Sequence, residues 1–164
     1  MAQKYSLSEL ERRWLVRKEA MPALTSVPRR IIEDKYLQGG RLRLRVVFAE
    51  GADPVYKLGK KYGRDGAHPE QVVSVYLSEQ EYDSLLVLPG ATLRKARYSV
   101  EGGSLDVLEY PSPGLAIFEV EFPAQSAAEA YIAPAFTGEE VTFNADYSGH
   151  ALAQRAGHHR KVSP

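Results

Sequence analysis

Residues 9–16 read Glu9-Leu10-Glu11-Arg12-Arg13-Trp14-Leu15-Val16, and they set a pattern that the rest of the chain repeats. In an extended strand alternate side chains share a face, so Glu9, Glu11 and Arg13 fall together while Leu10 and Trp14 fall on the other side. Further along, Arg41, Arg43 and Arg45 alternate with Leu42, Leu44 and Val46, and Lys57, Gly59 and Lys61 share a face. Lys95 and Arg97 lie opposite Ala96 and Tyr98, and Glu119 and Glu121 lie opposite Phe118, Val120 and Phe122. A solvated strand face is usually diluted with Ser, Thr and Gln, whereas these faces carry Arg, Lys and Glu almost alone. The pattern predicts a closed antiparallel barrel turned inside out, with charges in the lumen and an apolar outer face covered by helices.

Turn signals at 38–40, 50–54, 62–69, 101–103 and 111–114 bound strands predicted over 7–16, 31–37, 41–48, 55–61, 71–77, 93–100, 104–110, 115–122 and 140–143. Ser78-Glu79-Gln80-Glu81 is a capping box ahead of Tyr82, Leu85 and Leu86 at helical spacing, and Ser126-Ala127-Ala128-Glu129 repeats the device before Pro134. The class expected is a β-rich α+β protein, with one domain over residues 1–153. Residues 154–164, with His158 and His159, lack apolar periodicity and read as a frayed tail. Trp14, opposite the charges, reads as an anchor beneath a covering helix.

Composition narrows the function. Of 164 residues 44% are hydrophobic and 26% charged, which excludes disorder and fibrous architectures. The absence of cysteine removes disulfide scaffolds, thiolate zinc sites and thiol nucleophiles, and fits a cytoplasmic protein. No apolar run approaches the roughly 18 residues of a spanning helix, and Met1-Ala2-Gln3-Lys4 leads into charge, so neither membrane nor leader is expected. The zero net charge hides a polarity: residues 1–65 carry 15 basic and 8 acidic side chains (+7), and residues 66–164 carry 6 and 13 (−7). The cations are spaced along strands and form no continuous basic arm, so nucleic acid is not the expected partner. No GxxxxGK or GxGxxG occurs, and Ser74, Ser99 and Ser148 have no evident histidine partner for a triad.

A lumen of this kind needs a charged guest. Two unit charges about 6 Å apart interact by roughly 3 kcal/mol at an effective dielectric near 20, so a ring of unpaired cations predicts a bound polyanion. Arginine offers forked donors and lysine a point charge to phosphate oxygens, while closely spaced carboxylates suit Mg²⁺ or Mn²⁺.

The same segments resemble the CYTH domains, or triphosphate tunnel metalloenzymes. Residues 9–16 are similar to the ExExK strand of that family, Arg41-Leu42-Arg43-Leu44-Arg45 to its R-x-R strand, and Leu58-Gly59-Lys60-Lys61 to its LTIK strand. Leu93 to Tyr98 resembles I-x-K-x-R-Y, Gly114 to Glu121 resembles GLVLAEVE, and Gly138 to Ala153 resembles the terminal GxEVT segment. The resemblance runs in order over residues 6–153. It implies an eight-stranded antiparallel closed tunnel with flanking helices that grips a phosphate chain. By carry-over, Arg13, Arg43, Arg45, Lys61, Lys95 and Arg97 bind phosphate, with Arg41 and Lys57 as further candidates. Glu9, Glu11, Glu119 and Glu121 become ligands for Mg²⁺ or Mn²⁺, and Glu119 and Glu121 carry the catalytic role. The chain departs from the family in having Arg13 for lysine and Val72-Val73-Ser74 for a middle-strand E-x-E, a loss that Asp106 is expected to offset.

The function implied is a metal-dependent phosphohydrolase acting on inorganic triphosphate or an organic triphosphate. A class IV adenylyl cyclase-like enzyme and a non-catalytic polyphosphate- or nucleotide-binding protein are the alternatives. The implied partner is a small-molecule triphosphate or polyphosphate, and the protein is expected as a monomer or homodimer.

Overall fold

The computed structural model describes residues 4–63 and 69–156. Within them lie β1 (Leu7–Glu9), β2 (Glu11–Val16), β3 (Arg29–Leu37), β4 (Leu42–Ala49), β5 (Val55–Lys61), β6 (Glu70–Leu77) and α1 (Glu79–Leu86). Then follow β7 (Gly90–Val100), β8 (Gly103–Tyr110), β9 (Ala116–Glu121), α2 (Gln125–Ala130), β10 (Thr137–Glu140) and α3 (Gly149–Gln154). The strands form one antiparallel sheet in the order β1-β6-β5-β4-β3-β7-β8-β9-β2-β10. No helix among the described residues is long and apolar enough to cross a membrane.

The β-rich α+β class is as expected, but the ladder is a ten-stranded sheet with β1 and β10 at its ends and not a closed eight-stranded barrel. The first predicted strand breaks at Leu10. Its front piece pairs with β6, placing Glu9 opposite Glu70, and its rear piece pairs with β9, placing Glu11 opposite Glu121. The last strand forms over 137–140, three residues before the span predicted, because Thr137 and Glu140 are the residues that find partners on β2.

The apolar faces lie in three clusters, each under a helix or loop. Trp14, Leu105, Phe118, Val120 and Phe136 pack with Tyr131 at the end of α2, and the Trp14 and Tyr131 rings are 5.7 Å apart. Leu93, Leu108 and Ile117 pack with Leu152 and Ala153 of α3. Leu37, Leu44 and Val46 pack with Tyr82 of α1. Each fully buried Leu or Phe here contributes roughly 1.5–3 kcal/mol of burial. The register of β7 on β8 shifts between Arg94 and Lys95. Such a bulge re-aims side chains, so Leu93 reaches the α3 cluster while Lys95 and Arg97, of the same parity, face the other way.

The capping box at α1 forms as expected. Ser78 Oγ accepts from the Glu81 amide at 3.2 Å and Glu81 Oε2 accepts from the Ser78 amide at 2.7 Å. Ser78→Ala should therefore lower stability by about 1 kcal/mol in thermal denaturation, and an unchanged midpoint would deny the cap any role. The second capping box does not form. The Ala128 amide donates to Ala124 O at 3.2 Å, so α2 starts at Gln125 and Ser126 is already inside it. The helix α3 was not anticipated, because it buries only Leu152 and Ala153 and is too short to show periodicity. His68, His158 and His159 lie outside the described residues.

Candidate phosphate-binding cavity

The charged face of the sheet surrounds a cavity of about 1020 Å³. Among the described residues eight cations line it, Arg13, Arg41, Arg43, Arg45, Lys60, Lys61, Lys95 and Arg97, with five carboxylates, Glu9, Glu11, Glu70, Glu119 and Glu121. That is an excess of three positive charges (8 − 5) in the wall. Tyr36, Ser148 and His150 complete one side. Here α3 comes close, for a Cβ on Gly149 would lie 1.9 Å from the Tyr36 hydroxyl.

Eleven of the thirteen residues predicted for the site line this cavity, and Lys57 and Asp106 do not. Lys57 sits opposite Tyr76 in the β5–β6 register, and its ammonium lies 4.7 Å over that ring instead of turning inward. Asp106 lies behind the wall, 2% exposed, and its carboxylate is occupied by cations. Arg97 donates to both its oxygens at 2.6 and 2.7 Å, and Lys95 donates to it as well.

The cations were expected to repel one another until a ligand arrived, but buried carboxylates hold them apart. Asp34, 1% exposed on β3, accepts from Arg45 at 2.6 and 2.8 Å and lies 3.6 Å from Arg43. Burial pushes the Asp34 carboxyl up, but Arg45 and Arg43 outweigh burial and hold it below the ordinary range. Glu119 sits 2.9 Å from Arg97, 3.8 Å from Lys95 and 3.9 Å from Arg13. There, too, burial raises the pKa, and Arg97, Lys95 and Arg13 overcome it to hold the group well below the usual carboxylate value. The compensation is incomplete. Burial pulls the Lys95 ammonium below its ordinary range despite Asp106. The Nε atoms of Arg13 and Arg43 are buried without any acceptor among the described residues.

A second group of charges gathers around β1, β5 and β6. Lys61 Nζ is 2.8 Å from Glu9, 3.5 Å from Glu70 and 4.0 Å from Glu11. Burial works against the Lys61 ammonium, but Glu11 and Glu9 outweigh it and hold the lysine more firmly charged. Glu70 was missed from sequence, where the strand was begun one residue too late. It shares the β6 face with Val72 and Ser74, so that strand does place a carboxylate in the cavity, although not at the positions where one was sought. Asp34 was missed too, and its signal was a lone carboxylate at the same parity as Ile32 and Tyr36.

The donor set suits Mg²⁺ or Mn²⁺ in its chemistry, since Glu9, Glu11, Glu119 and Glu121 offer only hard oxygens to one cavity. Glu11 is raised above the usual range first by burial and then by the charge of Glu119, a crowding that a divalent cation would relieve. As the side chains stand, no group of three carboxylates or imidazoles among the described residues converges closely enough to hold an ion. Glu9 and Glu11 turn to Lys61 and Glu119 turns to Arg97, while Glu121 is exposed and has no ion pair among the described residues.

No family model matches the chain, and no curated protein matches it. Solved structures do, among them the following two. One, described as the hypothetical protein NE1496, is 28% identical with a TM-score of 0.59, over 89% of this chain and 97% of that one. The other, described as the inorganic triphosphatase NE1496, is 26% identical with a TM-score of 0.59, over 90% of this chain and 95% of that one. With this likeness over nearly the whole chain and with arginines, lysines and glutamates from successive strands facing one cavity, the chain has the CYTH, or triphosphate tunnel metalloenzyme, fold.

Proposed function

We propose that the chain is a metal-dependent phosphohydrolase that binds the phosphate chain of inorganic triphosphate, or of an organic triphosphate, in this cavity and releases its terminal phosphate. The observation that carries the reading is the pair of buried Nε donors of Arg13 and Arg43, left without acceptors in a wall with excess positive charge. A phosphate chain supplies such acceptors, and charge-assisted bonds to it are the strong kind. The likeness to a structure described as an inorganic triphosphatase supports the reaction class.

In this reading the sheet encloses a tunnel. Leu10 alone separates β1, which pairs with β6, from β2, which pairs with β9, so one bent strand joins the two flanks. Arg13, Arg43, Arg45, Lys95 and Arg97 orient the phosphates, while Asp34 and Asp106 fix the cations from behind. Glu9, Glu11 and Glu121, with Glu119 once Arg97 turns to phosphate, would hold Mg²⁺ or Mn²⁺. When bound, the metal supplies charge neutralisation on the phosphates and lowers the pKa of water. Transfer to water needs positioning and electrostatic stabilisation more than covalent help, which suits a wall built of guanidiniums, ammoniums and carboxylates. Glu121, open to the cavity, accepts a hydrogen bond from the attacking water.

Orthophosphate release from inorganic triphosphate and a panel of nucleoside triphosphates, with Mg²⁺ and with Mn²⁺, tests the reaction. Calorimetry tests the site: triphosphate at a hundredfold excess over its dissociation constant should add about 2.7 kcal/mol of stability, and more than sulfate of equal ionic strength. Equal shifts with sulfate would reduce the cavity to a screened basic patch. Tight binding without release would make the chain a triphosphate-binding protein, and a cyclic product from ATP would make it a cyclase.

A further inference from the structure

Lys61 ends β5 where three strands bring carboxylates together. Glu9 and Glu70 are register partners on β1 and β6, and Glu11 begins β2, so the three acids reach the lysine from different backbones. Its Nζ stands 2.8, 3.5 and 4.0 Å from Glu9, Glu70 and Glu11 in turn. The same side chain lines the cavity that also holds Arg43 and Arg45. It therefore has two sets of anionic partners within one site, the carboxylates it contacts and the phosphates the cavity is read to take.

We propose that Lys61 is the resident cation of Glu9, Glu11 and Glu70, and that its ammonium and a divalent metal exclude one another there. The metal enters only as a phosphate chain draws Lys61 toward the basic wall. This rests on the triphosphate reading of the cavity. An ammonium brings one charge and three donors, whereas Mg²⁺ or Mn²⁺ brings two charges and needs several oxygen ligands. Both cannot share the carboxylates at these spacings, because the two cations would stand within a few ångströms of each other. The flexible four-carbon stem of lysine allows the change of partner without movement of the strand. Glu70 distinguishes this arrangement, because it enters from β6 and adds a third acid to the hold on Lys61. The consequence is reciprocal coupling: triphosphate tightens metal binding by the factor by which metal tightens triphosphate binding.

The test uses the full chain free of metal and phosphate, titrated with Mn²⁺ alone and followed by loss of the free-ion paramagnetic resonance signal. Lys61→Met should bind Mn²⁺ about tenfold or more tighter than wild type, whereas Lys57→Met should change affinity by about threefold or less. Lys57 is the matched control, since it removes the same charge from the same strand while its Nζ lies over the Tyr76 ring at 4.7 Å, outside the cavity. If Lys61→Met does not fold, the pair Lys61→Met with Glu70→Gln removes one charge of each sign, and its Mn²⁺ affinity should still exceed that of wild type. Unchanged affinity in the Lys61 variants, or an equal gain in Lys57→Met, overturns the exclusion. A separate calorimetric titration of wild type with metal-free triphosphate distinguishes the two failures. Triphosphate binding with unchanged Mn²⁺ affinity sinks the exchange and leaves the proposed function in place. No triphosphate binding at all sinks the proposed function, and with it the phosphate-driven step of the exchange.

Discussion

Asp106→Asn should cost the ligand-free protein about 3–5 kcal/mol, the range seen when one partner of a buried ion pair is removed. The substitution keeps the size of the side chain but leaves Lys95 and Arg97 side by side without the carboxylate that both now share. Glu119 would remain near them, at 3.8 Å from Lys95 and 2.9 Å from Arg97, with the weaker pull of Asp34 from β3. Urea denaturation reads the loss as a lower midpoint at constant slope. Metal-free triphosphate should then stabilise the variant more than it stabilises wild type, because it restores the missing negative charge. A loss below about 1 kcal/mol would show that Asp106 is not what holds the cationic wall together.

Arg13→Met and Arg43→Met should each weaken triphosphate binding by about ten- to a hundredfold, the worth of a charge-assisted hydrogen bond. Their ligand-free stability should change far less than that of the Asp106 variant. Both Nε groups are buried and have no hydrogen-bond acceptor among the described residues, so removing them relieves a desolvation cost even as it loosens the ion pairs to Glu119 and Asp34. Lys57→Ala is the internal control, since its ammonium lies over Tyr76 and outside the cavity. Calorimetry that finds the same affinity in both arginine variants, or an equal loss in the Lys57 variant, would remove these guanidiniums from the phosphate site.

Alternation and turn chemistry are properties of neighbouring residues, and they were legible in the sequence. They placed the strands to within a few residues, set Trp14 against the core and Arg43, Arg45, Lys95 and Arg97 against the cavity, and gave α1 its cap. The break at Leu10 was not legible, because the whole run from Leu7 to Val16 has strand character, and only the two different partners, β6 and β9, divide it. Nor was α2's start, since Ser126 offers a cap two residues too late for a helix that Ala124 already opens.

The sequence by itself determined which residues share a face along an unbroken stretch of strand, because side-chain parity there is local, and it gave way only where pairing bulges β7 between Arg94 and Lys95. Tertiary structure alone decided which charges neutralise which. Asp34 meets Arg45 across the β3–β4 register, Asp106 meets Arg97 across β7–β8, and Glu70 reaches Lys61 only because β1, β5 and β6 lie side by side. Lys57 has the parity of Lys61 yet leaves the cavity for a ring on the next strand. Ion pairing falls off over a few ångströms, and register sets distances of that size, so the list of inward charges was readable while their partners were not.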